Sequence, residues 1–192
     1  MKKIFILILI VAVALAVLYF SWRPGKPGTF EELLESVKKG EKIELVVAGK
    51  TSGKVDKKYT CDGEDVSPPI SWSTPPEGTA SLALICYDPD APRGIFVHWV
   101  VFNMPPTLKR LPENMPKKGE VEGIGLQGKN DFGYLGYGGP CPPFGEHRYV
   151  FILLALDKTL DLEEGVTAKE LLEKAEGHVL GYGEVVLRYG RS

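Results

Sequence analysis

The chain has 192 residues, and its formal net charge of −2 comes from 23 basic and 25 acidic residues mixed along the sequence. A chain of this length suits one domain with additional segments, and the lack of a basic stripe excludes a typical nucleic-acid-binding surface. The 15 prolines and 22 glycines, together with short apolar runs, favour a turn-rich, mainly β domain over a helical bundle.

The N-terminal segment, residues 1–22, is strongly hydrophobic. Seventeen residues without charge, Ile4 to Phe20, follow Lys2 and Lys3, and as a helix they would span about 26 Å, the short end of a membrane helix. One interpretation is an N-terminal hydrophobic helix that anchors the chain in a membrane. The other is a signal peptide cut after Ala14-Leu15-Ala16. Both predict a domain outside the cytoplasm, either membrane-anchored or secreted.

Residues 23–40 are predicted to be a linker and a short helix that precede the domain at 41–192. Proline and glycine start this segment, and Thr29 with Glu32 fits a capping box at the start of a helix. Gly40 supplies the stop. The helix could pack on the domain, but we expect a solvated spacer with no further role.

A polar turn between two predicted strands is the first candidate for a functional site. The apolar run 81–87 leads into a turn with Asp88 and Asp90, and the next strand, 96–102, carries His98. Side chains alternate between the faces of a strand. The imidazole is therefore predicted to share its face with two apolar residues, Val100 and Phe102. The segment predicts one wall of a small polar pocket.

The second candidate lies near the end of a long, glycine-rich segment. Residues 137–149 are rich in glycine and proline, and they run into a clear strand at 150–156. Glycine allows close approach of the backbone to a ligand, and proline holds a loop in shape. His147 and Tyr149 are two residues apart, so they share one face of an extended strand.

Together these segments resemble the phosphatidylethanolamine-binding protein (PEBP) family, which includes the Raf kinase inhibitor proteins. The resemblance runs from about Ile43 to Tyr189 and is closest to the bacterial and archaeal branch. Four motifs carry it: Asp88-Pro89-Asp90-Ala91-Pro92, His98 before a strand that ends at Asn103, Gly139-Pro140-Cys141-Pro142-Pro143, and His147-Arg148-Tyr149. The resemblance implies an antiparallel β-sandwich with a few peripheral helices and a small anion pocket at one end.

Carried over to this sequence, the family pattern implies a set of pocket residues. The pocket would contain Asp88, Asp90, His98, His147 and Tyr149, with Gly139 and Pro140 at its rim. The resemblance also implies a cis peptide bond at Ala91-Pro92. We predict no metal and no cofactor.

These residue types indicate a non-catalytic binding protein for a small anion, such as phosphate or a phospholipid headgroup. Two imidazoles and a phenol offer hydrogen-bond donors, and a phosphate offers acceptors. The aspartates either fix the tautomer of an imidazole and favour its charged form, or receive the ammonium group of a headgroup. Such a protein could also inhibit or regulate another protein.

Two other classes of function stay open. The His and Asp residues could form a hydrolase or a metal-dependent enzyme, with Cys141 and His147 as a nucleophilic pair. Alternatively, the chain could inhibit a serine protease through surface loops, in particular the irregular segment Thr107 to Gly139.

The three cysteines differ in context. Cys86 lies in an apolar strand and is expected to be a buried free thiol. Cys61 and Cys141 lie in loops, and an exported domain meets oxidising conditions. We predict that these two form a disulfide.

Overall fold

The computed structural model describes residues 28–191, which contain two helices and eleven strands. The helices are α1 (Phe30–Val37) and α2 (Ala168–Ala175), and a 3₁₀ turn lies at Lys57–Tyr59. The strands are β1 (Glu41–Lys42), β2 (Leu45–Val47), β3 (Ser52–Lys54), β4 (Ile70–Trp72), β5 (Ser81–Asp88), β6 (Phe96–Met104), β7 (Arg110–Leu111), β8 (Glu120–Val121), β9 (Gly125–Gln127), β10 (Gly145–Leu156) and β11 (Val179–Arg191).

The strands form two sheets that share a hydrophobic core. The large sheet has the order β1-β11-β10-β5-β6-β9-β8, with β3 also paired to β11, and the small sheet has the order β2-β4-β7. One core cluster joins residues of both sheets, for example Trp72 of the small sheet and Trp99 and Phe151 of the large one. The mainly β prediction is confirmed. The pairing is antiparallel except where the short strands β1 and β3 meet β11.

The two helices cover the other face of the large sheet. Both begin with the capping boxes that the sequence contains, Thr29 with Glu32 and Thr167 with Glu170. The apolar side of α1 is buried in a second core cluster together with α2. Its buried residues are Leu33, Leu34 and Val37. The expectation of a solvated spacer is therefore wrong, because α1 is part of the packed domain.

The predicted membrane segment, Ile4 to Phe20, lies outside the described residues. Within residues 28–191, no helix combines the length and apolar character needed to cross a membrane.

Candidate functional site

A cavity of about 280 Å³ lies at one end of the large sheet, where β5 ends and β6 and β10 begin. One side is made by strand residues and by the turn between β5 and β6. The other side is made by loop residues that precede β10. The lining residues are Asp88, Ala91, Pro92, Arg93, Gly94, Ile95, Phe96, His98, Phe132, Cys141, Pro142, Pro143, His147 and Tyr149. Four of the predicted pocket residues are thus brought together: Asp88, His98, His147 and Tyr149.

Asp88 and His147 form a buried pair in this cavity. Nδ1 of His147 lies 2.7 Å from Oδ2 of Asp88, and the two side chains are only 6% and 5% exposed. The other carboxylate oxygen, Oδ1, accepts the backbone N–H of Asp90 at 2.7 Å. A carboxylate only accepts hydrogen bonds, so Nδ1 carries the proton. Both oxygens of Asp88 are thereby engaged, and Nε2 of His147 is left for the cavity.

The orientation of His98 depends on an irregularity in strand pairing. Cys86 of β5 is opposite Trp99 of β6, whereas the next residue, Tyr87, is opposite Val97. His98 is therefore an extra residue on its strand, which is the definition of a β-bulge. A bulge interrupts the alternation of side chains and redirects the residue that it contains.

The predicted face of His98 is wrong for this reason. Val100 and Phe102 pack in the cluster beneath the helices. The ring of His98 instead lies 5.2 Å from that of Tyr149, a member of the core between the sheets, and both line the cavity. Without the bulge, His98 would lie on the helix side of the sheet.

The surroundings of His98 define which ring nitrogen carries the proton. Its Nδ1 lies 2.7 Å from the backbone oxygen of Gly138. A carbonyl oxygen only accepts, so Nδ1 carries the proton. Burial lowers the pKa of His98, although the Gly138 carbonyl opposes that effect. The neutral ring therefore presents a lone pair at Nε2.

Tyr149 carries the clearest sign of a missing partner. Its hydroxyl is buried and has no hydrogen-bond partner in the part of the chain that the structure describes. Burial raises the pKa of Tyr149, and the nearby backbone of Cys141 acts in the opposite direction. The group therefore stays an O–H donor. An unused buried donor is unfavourable, so its position at a cavity indicates a ligand or an ordered water.

Asp90, a predicted pocket residue, does not line the cavity. It is exposed and accepts three hydrogen bonds from Arg148, from the backbone N–H at 2.9 Å and from the guanidinium at 2.9 and 2.6 Å. The hydrogen bonds from Arg148 lower the pKa of Asp90 to about 2. Asp90 also fixes the turn, since its own N–H binds Asp88.

Gly139 and Pro140, predicted as the rim, are buried behind the cavity wall. The Gly139 N–H donates to Oδ1 of Asp65 at 2.7 Å. The Pro140 carbonyl accepts the N–H of Cys61 at 3.1 Å. These contacts hold the loop that carries the lining residues, which follow directly in the chain: Cys141, Pro142 and Pro143.

The expected disulfide between Cys61 and Cys141 is present. Because Cys141 lines the cavity, the bond ties one cavity wall to the loop that contains Cys61. It also removes the thiol of the predicted pair between Cys141 and His147, so that nucleophile does not exist in the oxidised protein. Cys86 is a buried free thiol, and burial raises its pKa.

The expected cis peptide bond in the turn between β5 and β6 is wrong. No peptide bond within residues 28–191 is cis, so the Ala91-Pro92 bond is trans. The Gly94 N–H donates to the Ala91 oxygen at 3.1 Å and closes a four-residue turn with Pro92 second. The φ of a trans proline suits that position, whereas turns with cis proline place it third.

Sequence reasoning missed several lining residues. Arg93 could have been found, because a cation that follows two carboxylates in a predicted pocket wall is a natural anion ligand. Phe132 could not have been found from the sequence, since it lies in a long irregular segment without periodicity. Its ring lies 5.4 Å from that of His98 and 4.8 Å from that of Phe96.

The side-chain geometry also bears on a metal ion. Within residues 28–191, no three or more His, Cys, Asp and Glu side chains are grouped so as to hold one. In the cavity, both oxygens of Asp88 already accept hydrogen bonds. The zinc alternative stays a prediction of the sequence.

Comparison with known proteins gives consistent matches. A family model described as phosphatidylethanolamine-binding protein matches residues 46–190. The chain is 52% identical over 139 residues to a UPF0098 protein of Methanothermobacter thermautotrophicus, a match that covers 72% of this chain and 92% of the relative.

Two crystal structures show a similar fold. One, described as a PEBP homologue from Chlamydia trachomatis, has a TM-score of 0.72 and 37% identity, covering 80% of this chain and all of that one (100%). The other, E. coli YbcL, is described as a new member of the mammalian PEBP family. It has a TM-score of 0.69 and 30% identity, covering 78% of this chain and 99% of that one.

Proposed function

This chain belongs to the phosphatidylethanolamine-binding protein family, and on that premise we propose that it is a non-catalytic binding protein for a small anion. The anion is phosphate or the phosphate group of a phospholipid headgroup. The observation that carries the proposal is the buried hydroxyl of Tyr149, a donor without a partner among residues 28–191, in a cavity shared with two histidines.

Donors for an anion come from three sides of the cavity. Tyr149 supplies its hydroxyl, and Arg93 supplies a guanidinium at the mouth. His147 can donate from Nε2 only when its ring is protonated on both nitrogens, because Nδ1–H already binds Asp88.

His98 adds selectivity between anions. Its neutral ring has a lone pair at Nε2, which accepts a hydrogen bond rather than donating one. Phosphate carries a proton at neutral pH and can satisfy this acceptor. Sulfate has the same shape but no proton. The site should therefore prefer inorganic phosphate or a phosphomonoester over sulfate, and also over a phosphodiester, which has no proton either.

The contacts of the aspartates favour one of their two predicted roles. Asp88 orients His147, and Asp90 is paired with Arg148 outside the cavity. Each oxygen of Asp88 already accepts one hydrogen bond, and both oxygens of Asp90 accept hydrogen bonds from Arg148. The selectivity for an amine-bearing headgroup is therefore expected to be weak.

Titration calorimetry of inorganic phosphate against the Tyr149→Phe variant tests the proposal. Loss of one hydrogen bond to a charged ligand should weaken affinity about tenfold. The thermal stability of the ligand-free variant should not fall, because the deleted hydroxyl makes no hydrogen bond in the described part of the chain. Tyr182→Phe is the matched control, since Tyr182 pairs with Leu154 away from the cavity and the variant should bind phosphate normally.

Three outcomes separate the parts of the proposal. Unchanged phosphate affinity in Tyr149→Phe would refute the anion site. Equal affinity for sulfate and phosphate would refute the role of His98. Glycerophosphoethanolamine, a phosphodiester, distinguishes the source of the ligand: tight binding would favour a lipid headgroup, and weak binding would favour free phosphate or a phosphomonoester.

We further propose that the protein acts outside the cytoplasm. The supports are the predicted N-terminal segment, residues 1–22, and the Cys61–Cys141 disulfide, which suits an oxidising compartment. Inhibition of a serine protease through surface loops and hydrolysis by the cavity residues stay predictions of the sequence.

A further inference from the structure

The cavity-lining segment at residues 141–143 is tied to the rest of the domain by a disulfide. Two of its three residues are prolines, which have no backbone N–H to donate. The Pro142 carbonyl accepts a long hydrogen bond, 3.4 Å, from Nη1 of Arg191. The bond between Cys141 and Cys61 is the covalent contact that fixes the segment. Breaking it would therefore leave this part of the cavity lining loosely held.

Arg191 contacts both sulfur atoms of this disulfide. Its Nη2 lies 2.8 Å from Sγ of Cys61 and 3.3 Å from Sγ of Cys141. The guanidinium is held in place by Asp62, whose two oxygens accept its N–H groups at 2.7 Å each. The hydrogen bonds between them raise the pKa of Arg191 and lower the pKa of Asp62 to about 2, so both groups stay charged. A fixed cation therefore lies beside the disulfide.

The guanidinium interacts differently with a disulfide and with a thiolate. A neutral sulfur is a weak acceptor, so the contact contributes little while the disulfide is intact. A thiolate is charged, and a neighbouring arginine lowers the pKa of its thiol. The Asp62 carboxylate opposes this effect, but it also accepts the Tyr189 hydroxyl at 2.8 Å. Lys57 adds a positive charge nearby. Arg191 therefore stabilises the state in which the disulfide is open.

The two sulfur atoms are not equivalent in this arrangement. Sγ of Cys61 is the closer of the two to the guanidinium. In thiol–disulfide exchange, the sulfur whose thiol has the lower pKa leaves faster. Cys61 is therefore the leaving group, and an incoming thiolate attacks Cys141. Both cysteines are half-buried rather than enclosed, and Cys141 lines the cavity of about 280 Å³. A small thiol can therefore reach Cys141 through the cavity.

We propose that this disulfide is a site of reversible modification by small thiols, with Cys141 as the residue modified and Cys61 as the residue released. The thiolate of the incoming molecule attacks Sγ of Cys141 and forms a new S–S bond. The bond between Cys141 and Cys61 breaks, and its electron pair stays on Sγ of Cys61, beside Arg191. One disulfide replaces another, so no further oxidant or reductant is consumed. The attached group then lies at the cavity wall, and residues 141–143 are no longer tied to Cys61.

Brief exposure of the folded chain to 2-mercaptoethanol tests the direction of exchange. Excess iodoacetamide stops the reaction, and peptide mass spectrometry then shows which cysteine carries which group. Among singly modified molecules, we expect mercaptoethanol on Cys141 and carbamidomethyl on Cys61 at least about fivefold more often than the reverse. Cys86 is buried, so it does not compete. The probe is uncharged, so the result does not depend on the proposed anion site.

Two substitutions separate the charge of Arg191 from a structural role. Arg191→Gln and Asp62→Asn break the same ion pair, so a loosened structure would accelerate exchange in both variants. The charge of Arg191 predicts opposite results: exchange about tenfold slower in Arg191→Gln, and at least as fast as in the wild type in Asp62→Asn. Arg188→Gln is the matched control, since Arg188 lies on the same strand and contacts Glu146 instead of a sulfur. It should exchange at the wild-type rate.

Three results would overturn the proposal. Modification of Cys61 as often as of Cys141 would show that the guanidinium does not select the leaving group. Faster exchange in both Arg191→Gln and Asp62→Asn would assign the arginine a structural role only. Absence of exchange in the folded chain, while the chain unfolded in urea exchanges, would show that the cavity gives a thiol no access to the disulfide.

Discussion

The two walls of the cavity are built in different ways. The strand wall, made by the ends of β5, β6 and β10, carries the polar groups Asp88, His98, His147 and Tyr149. The loop wall consists of apolar side chains, Phe132, Pro142 and Pro143, together with Cys141. The strand wall is held by the sheet, and the loop wall is held by a disulfide and by hydrogen bonds to the segment around Cys61.

This difference follows from the directionality of the interactions. Hydrogen bonds weaken steeply when distance or angle changes, so donors and acceptors need a rigid support. Apolar contacts are not directional and tolerate a less regular support. We therefore expect changes in the strand wall to affect ligand selectivity, and changes in the loop wall to affect stability and access.

The largest effect is expected from breaking the support of the loop wall. The disulfide closes a loop of 80 residues, and in the chain-entropy model its loss costs about 4–5 kcal/mol. Cys61→Ser/Cys141→Ser should lower the free energy of unfolding by that amount in urea denaturation. Wild-type protein in reductant is the control and should match the double variant. Equal stability of the oxidised and reduced protein would show that packing alone holds the wall.

The next largest effect is expected from Asp88→Ala in the strand wall. The substitution removes the buried acceptor of His147 and of the Asp90 N–H. Loss of a buried, charged acceptor should cost about 3 kcal/mol, measured by urea denaturation. Phosphate binding should also weaken, because the tautomer of His147 is no longer fixed. A variant with normal stability would show that water replaces the carboxylate.

The smallest effect is expected from Asp90→Ala, which is the matched exposed counterpart of Asp88. Its ion pair with Arg148 is accessible to solvent. The substitution should therefore lower the free energy of unfolding by less than about 1 kcal/mol at pH 7. The folded-state pKa of Asp90 is lowered to about 2, and an unfolded aspartate titrates near about 3.9. The contribution of the ion pair to stability is therefore fully present above about pH 5.

As the pH falls through the folded-state pKa of Asp90, its contribution to the free energy of unfolding is lost. The stability difference between wild type and Asp90→Ala should therefore be constant from pH 5 to 7 and should shrink toward pH 2. A difference that grows on acidification would contradict the assigned direction of the shift. Phosphate affinity should change little at neutral pH.

The sequence by itself predicted the local features of this protein. A capping box and a stop residue predicted helix α1, and apolar runs located the main strands. The alternation of a regular strand correctly placed His147 and Tyr149 on one face. Family motifs brought Asp88 and His98 to the same cavity. All these features depend on residues that are close in sequence, or on motifs that are specific enough to be recognised.

Only the tertiary structure decided the features that depend on contacts between distant segments. A bulge turns His98 into the cavity, because the pairing of its strand with β5 changes register between Cys86 and Tyr87. Asp90 forms an ion pair with Arg148 outside the cavity. The apolar side of α1 is buried because the helix lies against the large sheet and α2. In each case the stabilisation comes from burial or from a partner that is distant in the sequence. A pattern of neighbouring residues does not reveal either of them.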